Sequence, residues 1–300
     1  MWKNIRREFQ YCLIRLVIFI LRLPSRTVAF SLAEIFGYLA FFILKKEREK
    51  TLSNLTKIWG RENSFLEIRK IAIRVFVDLG KNFVDALRIP RLNVQNIHSL
   101  VEIKGKKYFD RAYQKGKGVI AITAHLGCWE LIPVYFALQG YKINVIGRRL
   151  YDERLNQLLT NLRKSKGVRN LERANSIRPA LRILRRGEAL GVLIDQDTEV
   201  EGVFVNFFSQ PTFTPAGPIL MAYRTQAAIV PLAIYRLQNN KHLIEVRKSL
   251  KLSNSREIKE EVFIQTQKCS KILEEFIREH PTQWVWMHER WKTKPPSADK

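Results

Sequence analysis

The chain has 300 residues, with 52 Lys or Arg against 28 Asp or Glu, a formal net charge of +24 at pH 7. Its 46% hydrophobic content excludes wholesale disorder, because such a chain can bury enough apolar surface to offset its ordering entropy. Three cysteines, Cys12, Cys128 and Cys269, exclude a disulfide-stapled scaffold and a Cys-built metal module and fit a reducing compartment. The positive surplus calls for an anionic partner: nucleic acid, an acidic lipid surface or an acidic protein.

The first 45 residues differ from the rest. Residues 11–23 read YCLIRLVIFILRL and residues 28–44 read VAFSLAEIFGYLAFFIL, two apolar runs each shorter than the ~20 residues of a bilayer-spanning helix. A basic start followed by an apolar run mimics a signal peptide, but Arg15 interrupts the run and no small-residue cleavage site closes it. Residues 1–45 are therefore expected to form a retained helical membrane anchor, either a short tilted span or helices lying in the interface. Lys45, Lys46, Arg48 and Lys50 follow and suit anionic headgroups. The alternative is a buried helix pair. Residues 46–293 form the main domain, and the polar residues 294–300 are expected to be a disordered tail.

Residues 51–89 carry helical spacing, with Ile68, Ile71, Ala72, Val75, Phe76 and Leu79 on one face, until Pro90 stops the helix. From Val101 strands alternate with helices. Strands are expected over 118–125, 141–147 and 188–195, then in AAIVPLAIYR and HLIEVRK. Helices are expected over 128–140, 152–166 and 177–186, and finally over 259–279. This alternation gives the fold class, α/β with a mainly parallel central sheet flanked by helices.

In such sheets, active sites collect where strands end and helices begin. His125 falls at the carboxyl end of the first strand, Gly127 allows a tight turn, and Glu130 lies in the first turn of the next helix. A carboxylate folded back onto one ring nitrogen fixes the imidazole tautomer and leaves the other nitrogen as general base. Free backbone N–H groups at the helix start can steady an oxyanion. A turn-capping histidine and a dipole-favoured glutamate would produce the same spacing. A second junction ends in Asp195 and Asp197, which can orient Arg149 or Arg163, hold an acceptor hydroxyl, or simply form an Asp-rich turn. The following stretch, with Phe204, Phe207, Phe208 and Phe213, reads as an apolar loop that either lines a groove or serves as plain core. Arg178, Arg182, Arg185 and Arg186 fall on one helix, as a docking face or a solvated surface.

Taken together, HLGCWE (125–130), GRR (147–149), GVLIDQD (191–197), GVFVNFF (202–208), TPAG (214–217) and HPTQWVWMHERWK (280–292) resemble the bacterial lipid A late acyltransferase family. That group is related to the His-x4-acid glycerolipid acyltransferases. Arg48-x5-Asn54-Leu55 adds to the resemblance, which runs in order over about residues 5–293. It implies a glycerolipid-acyltransferase-like fold held at the inner face of the cytoplasmic membrane. The activity implied is transfer of a fatty acyl chain from acyl carrier protein, or from coenzyme A, to a hydroxyl of a lipid A precursor or related anionic glycolipid. No cofactor is implied beyond the acyl-carrier or acyl-CoA co-substrate, and no metal or nucleic acid. By resemblance His125 deprotonates the acceptor and Glu130 orients His125, without an acyl-enzyme. Arg149 and Arg163 are thioester, phosphate or carboxylate contacts, and Asp195 and Asp197 sit beside the pair. Many relatives have Asn where this chain has Cys128.

Four rival readings remain in the sequence, one of them a non-catalytic membrane scaffold in which the His125–Glu130 pair is vestigial. Trp284, Trp286 and Trp291 beside Arg290 and Lys292 could stack on nucleic-acid bases. His125 and Glu130 could ligate the metal of a hydrolase if distant histidines joined them. Cys128, three residues from His125, could act as a nucleophile, or else pack as a small hydrophobe.

Overall fold

Apolar spacing and caps set the helical N-terminal part. The computed structural model describes residues 2–252 and 257–296. Helix α1 (Trp2–Arg22) leads through Pro24 to α2 (Arg26–Ile43), α3 (Lys45–Trp59) and α4 (Phe65–Arg88). The expected single helix over 51–89 is two. Gly60 ends α3, and a Ser64–Glu67 capping box, satisfying two otherwise orphaned N–H groups, starts α4. Helix α2 lies on α4 through its small residues. A Cβ on Gly37 would meet the Val77 backbone, and one on Gly80 would meet the Ala33 carbonyl. Arg48 donates to the carbonyls of Phe41 and Phe42 and so closes the end of α2.

The α/β part begins with α5 (Ile97–Leu100), β1 (Val101–Lys104), α6 (Lys106–Gln114) and β2 (Val119–Thr123). It continues through α7 (Leu131–Leu138), β3 (Ile143–Gly147), α8 (Glu153–Lys164), β4 (Arg169–Glu172), α9 (Ile177–Arg185) and β5 (Ala189–Leu193). The last elements are β6 (Gly202–Phe207), β7 (Gln210–Pro215), α10 (Gly217–Thr225), β8 (Ala228–Arg236), β9 (His242–Val246) and α11 (Ile258–Glu279). Seven strands form one sheet in the order β1-β9-β8-β2-β5-β3-β4, with every neighbouring pair parallel except β8–β9. The expected mainly parallel sheet is observed.

Strand β2 is buried throughout, as a central parallel strand covered on both faces must be. Its side chains alternate. Val119 and Ala121 join a core with Phe109 and Phe136 of α6 and α7, while Ile120 and Ile122 join one with Ile183 and Phe276 of α9 and α11.

The stretch read as an apolar loop is the β6–β7 hairpin, turned at Phe208 and Ser209, both with positive φ. It packs on α11, where Gln267 accepts from Asn206 N–H and Glu274 from Phe208 N–H. Phe207 and Phe208 are core residues. Residues 294–296 form no helix or strand, and residues 297–300 of the expected tail lie outside the described residues.

One buried polar centre ties the N-terminal helices to the sheet. The Asp85 carboxylate accepts from Arg26 (2.7 and 3.0 Å), Arg236 (2.7 Å) and His242 Nε2 (2.8 Å). Burial alone would raise Asp85, but the His242 and Arg26 hydrogen bonds and the Arg236 charge hold it well below the usual carboxylate range. Burial, against the pull of Asp85, pushes His242 down to about 4, so its ring is neutral near pH 7.

Candidate active site

Strands β2 and β5 are neighbours with Thr123 paired to Leu193. His125 and Asp195 each follow that register by two residues, so they leave the sheet at the same level and meet. Asp195 Oδ2 accepts from the His125 backbone N–H at 2.8 Å, and Oδ1 lies 2.9 Å from His125 Nδ1. Trp284 Nε1 donates to the same Oδ2 at 2.7 Å. The Asp195 carboxylate has no exposed surface, while the His125 side chain is 21% exposed. Burial would raise Asp195, but His125 beside it and the His125 and Trp284 hydrogen bonds hold it well below its ordinary value. The His125 Nε2 bonds no protein group among the described residues.

The turn after His125 is set by Gly127, at φ +57, where any Cβ would strike the Ile234 carbonyl. The C-terminal segment runs alongside. Gly127 N–H donates to the Gln283 carbonyl (3.0 Å), Leu126 bridges Trp284, and Val285 N–H donates to the His125 carbonyl (3.2 Å). Trp129 stands edge-on to the imidazole, ring centroids 5.0 Å apart. The backbone N–H groups of Trp129 and Glu130, just before α7, donate to no protein acceptor among the described residues.

Glu130 does not hold His125. Its two oxygens take a forked pair of hydrogen bonds from Arg163 of α8, at 2.6 and 2.9 Å, and the third guanidinium nitrogen donates to Asn170 of β4. The physical reason is charge. A nearly buried carboxylate is satisfied by a planar cation with two parallel donors far better than by one imidazole N–H. Gly147 makes room for this pair, since a Cβ there would crowd both Arg163 and Asn170. Glu130 and Arg163 border a narrow apolar cavity, with Thr123, Phe136, Val145, Gly191 and Leu193 among its walls.

The remaining expected residues lie elsewhere. Arg149 is exposed and paired with Glu153 at 2.6 Å. Asp197 accepts from Thr293 N–H (2.8 Å) and Thr293 Oγ1 (3.0 Å), pinning the C-terminal segment and making no bond to His125. Cys128 is buried against the Asn82 carbonyl at 3.4 Å, and burial first, then the Asp85 charge, pushes its thiol well up. It is no nucleophile. Trp284, Trp286 and Trp291 are core residues, which removes the base-stacking reading. Among the described residues no group of three or more His, Cys, Asp or Glu is placed to hold a metal.

Comparison with known proteins gives the family. A family model for the bacterial lipid A biosynthesis acyltransferases matches residues 3–293. The chain belongs to that family. Membership makes it an O-acyltransferase. Among relatives, it is 24% identical over 263 residues to a lipid A biosynthesis acyltransferase of Haemophilus influenzae, covering 85% of this chain and 79% of that one. It is 22% identical over 261 residues to the lipid A biosynthesis lauroyltransferase of Escherichia coli K12, covering 86% and 83%. It is 24% identical over 218 residues to a phosphatidylinositol mannoside acyltransferase of Mycobacterium tuberculosis, covering 71% and 67%. The family's Arg48 and Asn54 positions are structural here. Arg48 caps α2, and Asn54 donates to the Trp286 and His288 carbonyls at 2.8 and 2.9 Å, fixing the segment that delivers Trp284 to Asp195.

The Glu130–Arg163 assignment has a thermodynamic signature. Glu130→Ala and Arg163→Ala should each cost about 3 kcal/mol of stability, because each leaves a nearly buried charge alone. The double variant should lose much less than the sum, as urea unfolding of the three variants would reveal. Strict additivity would mean the two do not interact.

Proposed function

We propose that the protein transfers a fatty acyl chain from a thioester carrier, acyl carrier protein or coenzyme A, to a hydroxyl of a lipid A precursor or a related glycolipid, at the cytoplasmic face of the inner membrane. The observation that carries the reading is His125. Its Nδ1 is held by an ionised, fully buried Asp195 while its Nε2 is open. That is the arrangement of a general base.

In the proposed reaction, Nε2 takes the proton of the acceptor hydroxyl as its oxygen attacks the thioester carbonyl. The imidazolium that forms is stabilised by Asp195, which keeps its charge. The tetrahedral oxyanion is met by the free N–H groups at the start of α7. Its collapse breaks the C–S bond, and the imidazolium returns the proton to the departing thiolate. Glu130 and Arg163 support this from behind, by fixing the turn that carries His125 and the wall of the apolar cavity. The start of the acyl chain would enter that cavity beside the reacting carbonyl. Relatives named for lipid A and for phosphatidylinositol mannosides support a glycolipid acceptor.

Membrane attachment follows from the helical pair. On α1, Leu13, Leu16 and Phe19 are exposed, and on α2 so are Ile35, Leu39, Phe42 and Ile43. Helix α2 is long and apolar enough to cross a membrane by length and composition. It is nonetheless fastened lengthwise to α4, which carries Arg69, Arg74, Asp78 and Lys81, so crossing would drag those charges into hydrocarbon. We therefore place α1 and α2 in the interface, apolar side down, with Lys45 and Lys46 at the headgroups.

With labelled acyl donor and membranes as acceptor, His125→Ala should lower turnover about 10³-fold or more, and Asp195→Asn about 10²–10⁴-fold, at near-normal donor KM. A His125→Ala enzyme of near-normal turnover would overturn the mechanism. Leu39→Asp with Phe42→Asp should release the protein from anionic vesicles in a sedimentation assay without changing its melting temperature. Undiminished pelleting would contradict the interfacial placement.

A further inference from the structure

Three arginines at and just before α8 each have a carboxylate. Arg149 has Glu153, Arg154 has Asp152 and Glu8, and Arg163 has Glu130. Helix α9 is different. The segment 173–187, RANSIRPALRILRRG, contains five arginines and no acidic residue. Ala180, Ile183 and Leu184 face the core, which leaves Arg178, Arg182, Arg185 and Arg186 exposed at three- and four-residue spacing, a continuous stripe along the helix. None of the four makes an ion pair or side-chain hydrogen bond among the described residues. Like charges at this spacing repel, and Arg178 stands in the first turn, where the helix dipole disfavours a cation. The helix dipole favours Arg182 and Arg185 in the last turn, but the repulsion along the stripe meets no neutralising carboxylate among the described residues.

Topology sets where the stripe begins. Strand register pairs Gly147 with Glu172, so Arg148 and Arg173 leave the carboxyl ends of β3 and β4 side by side, again without an ion-pair partner among the described residues. These are the same ends of the parallel strands that carry His125 and Asp195. Three strand spacings separate β2 from β4, ~14 Å at ~4.8 Å each. The arginine surface thus runs from the rim of the active site outward along α9.

We propose that this surface, Arg148 and Arg173 at the rim and the α9 stripe beyond it, is the docking site for the acidic face of a small carrier protein that presents the acyl thioester to His125. The proposal deepens the donor half of the reading above and rests on it. Charge complementarity selects the partner class, and arginine is the basic residue enriched in protein interfaces. A lipid surface fits less well. Ile177 is the one exposed large apolar residue on α9, whereas an interfacial helix needs an apolar face, and α1 and α2 supply that. Docking on α9 leaves the α1–α2 side free for the membrane and the acceptor.

The test is the affinity of fluorescently labelled acyl carrier protein for the full-length protein in detergent, followed by donor kinetics. The variant R178E/R182E/R186E should raise Kd, and the KM for acyl carrier protein, tenfold or more, while the KM for acyl-CoA and vesicle binding stay as in the wild type. The milder R182Q/R186Q should give a smaller shift in the same direction and guards against a folding defect. K268E/K271E, the same kind of reversal on exposed positions of α11, should change nothing. Unchanged carrier affinity in the triple variant overturns the proposal. So does an equal loss with the α11 control, a loss shared by both donors, or loss of vesicle binding alone. Carrier binding that depends on α9 without any acyl transfer by the wild type would sink the functional reading and leave the docking surface standing.

Discussion

A single buried carboxylate organises the catalytic end of this protein. Asp195 has no exposed surface, and it remains ionised because three N–H donors converge on it: the His125 backbone, the His125 ring and the Trp284 indole. Two of the donors belong to His125 and the third to the distant C-terminal segment. Removing water from an anion is expensive unless such partners replace it, so the turn after β2 and the C-terminal segment are both held where they can satisfy the same group. The segment's other ties serve that end. Asn54 holds the Trp286 and His288 carbonyls, and Asp197 holds Thr293. Catalytic geometry and the closing of the fold are thus one set of hydrogen bonds.

The second carboxylate of the site has a separate partner. Glu130 lies closer to His125 in sequence than Asp195 does, yet it belongs to Arg163. Keeping the two acids on different partners lets one hold the imidazole while the other braces α8 against the turn and β4. An arrangement in which both acids faced His125 would set like charges together in a poorly solvated place and raise one of their pKa values. Arg163 prevents that. It also places a neutralised pair, in place of a bare charge, on the wall of an otherwise apolar cavity.

Strands β2, β3, β5 and β8 were legible as short apolar runs, β2 and β3 rich in β-branched residues, whereas the four-residue β1 (VEIK) and β4 (RNLE) carry no such run. The two junctions carrying His125 and Asp195 were legible for the same reason. Their pairing was not, because spacing along the chain favours a neighbour five residues away over one seventy away. Only the β2–β5 register shows that both residues sit two positions past matched strand ends. Trp284 was beyond reach, since nothing in its local sequence says that its indole faces a carboxylate. The β6–β7 hairpin reads as a loop in the sequence because its turn uses Phe208 and Ser209 at positive φ, where Gly or Asn is the usual signal. The break between α3 and α4 was visible in Ser64 and Glu67, but helical spacing on both sides masked it.

The central claim is that Asp195, and not Glu130, fixes the His125 ring. It is tested most directly by ¹⁵N NMR of the histidine-labelled protein at pH 7, comparing wild type, Asp195→Asn and Glu130→Gln. The account predicts a His125 ring with its proton on Nδ1 and hydrogen-bonded in the wild type, unchanged in Glu130→Gln and lost or redistributed in Asp195→Asn. A His125 signal that shifts with Glu130→Gln and ignores Asp195→Asn would contradict it.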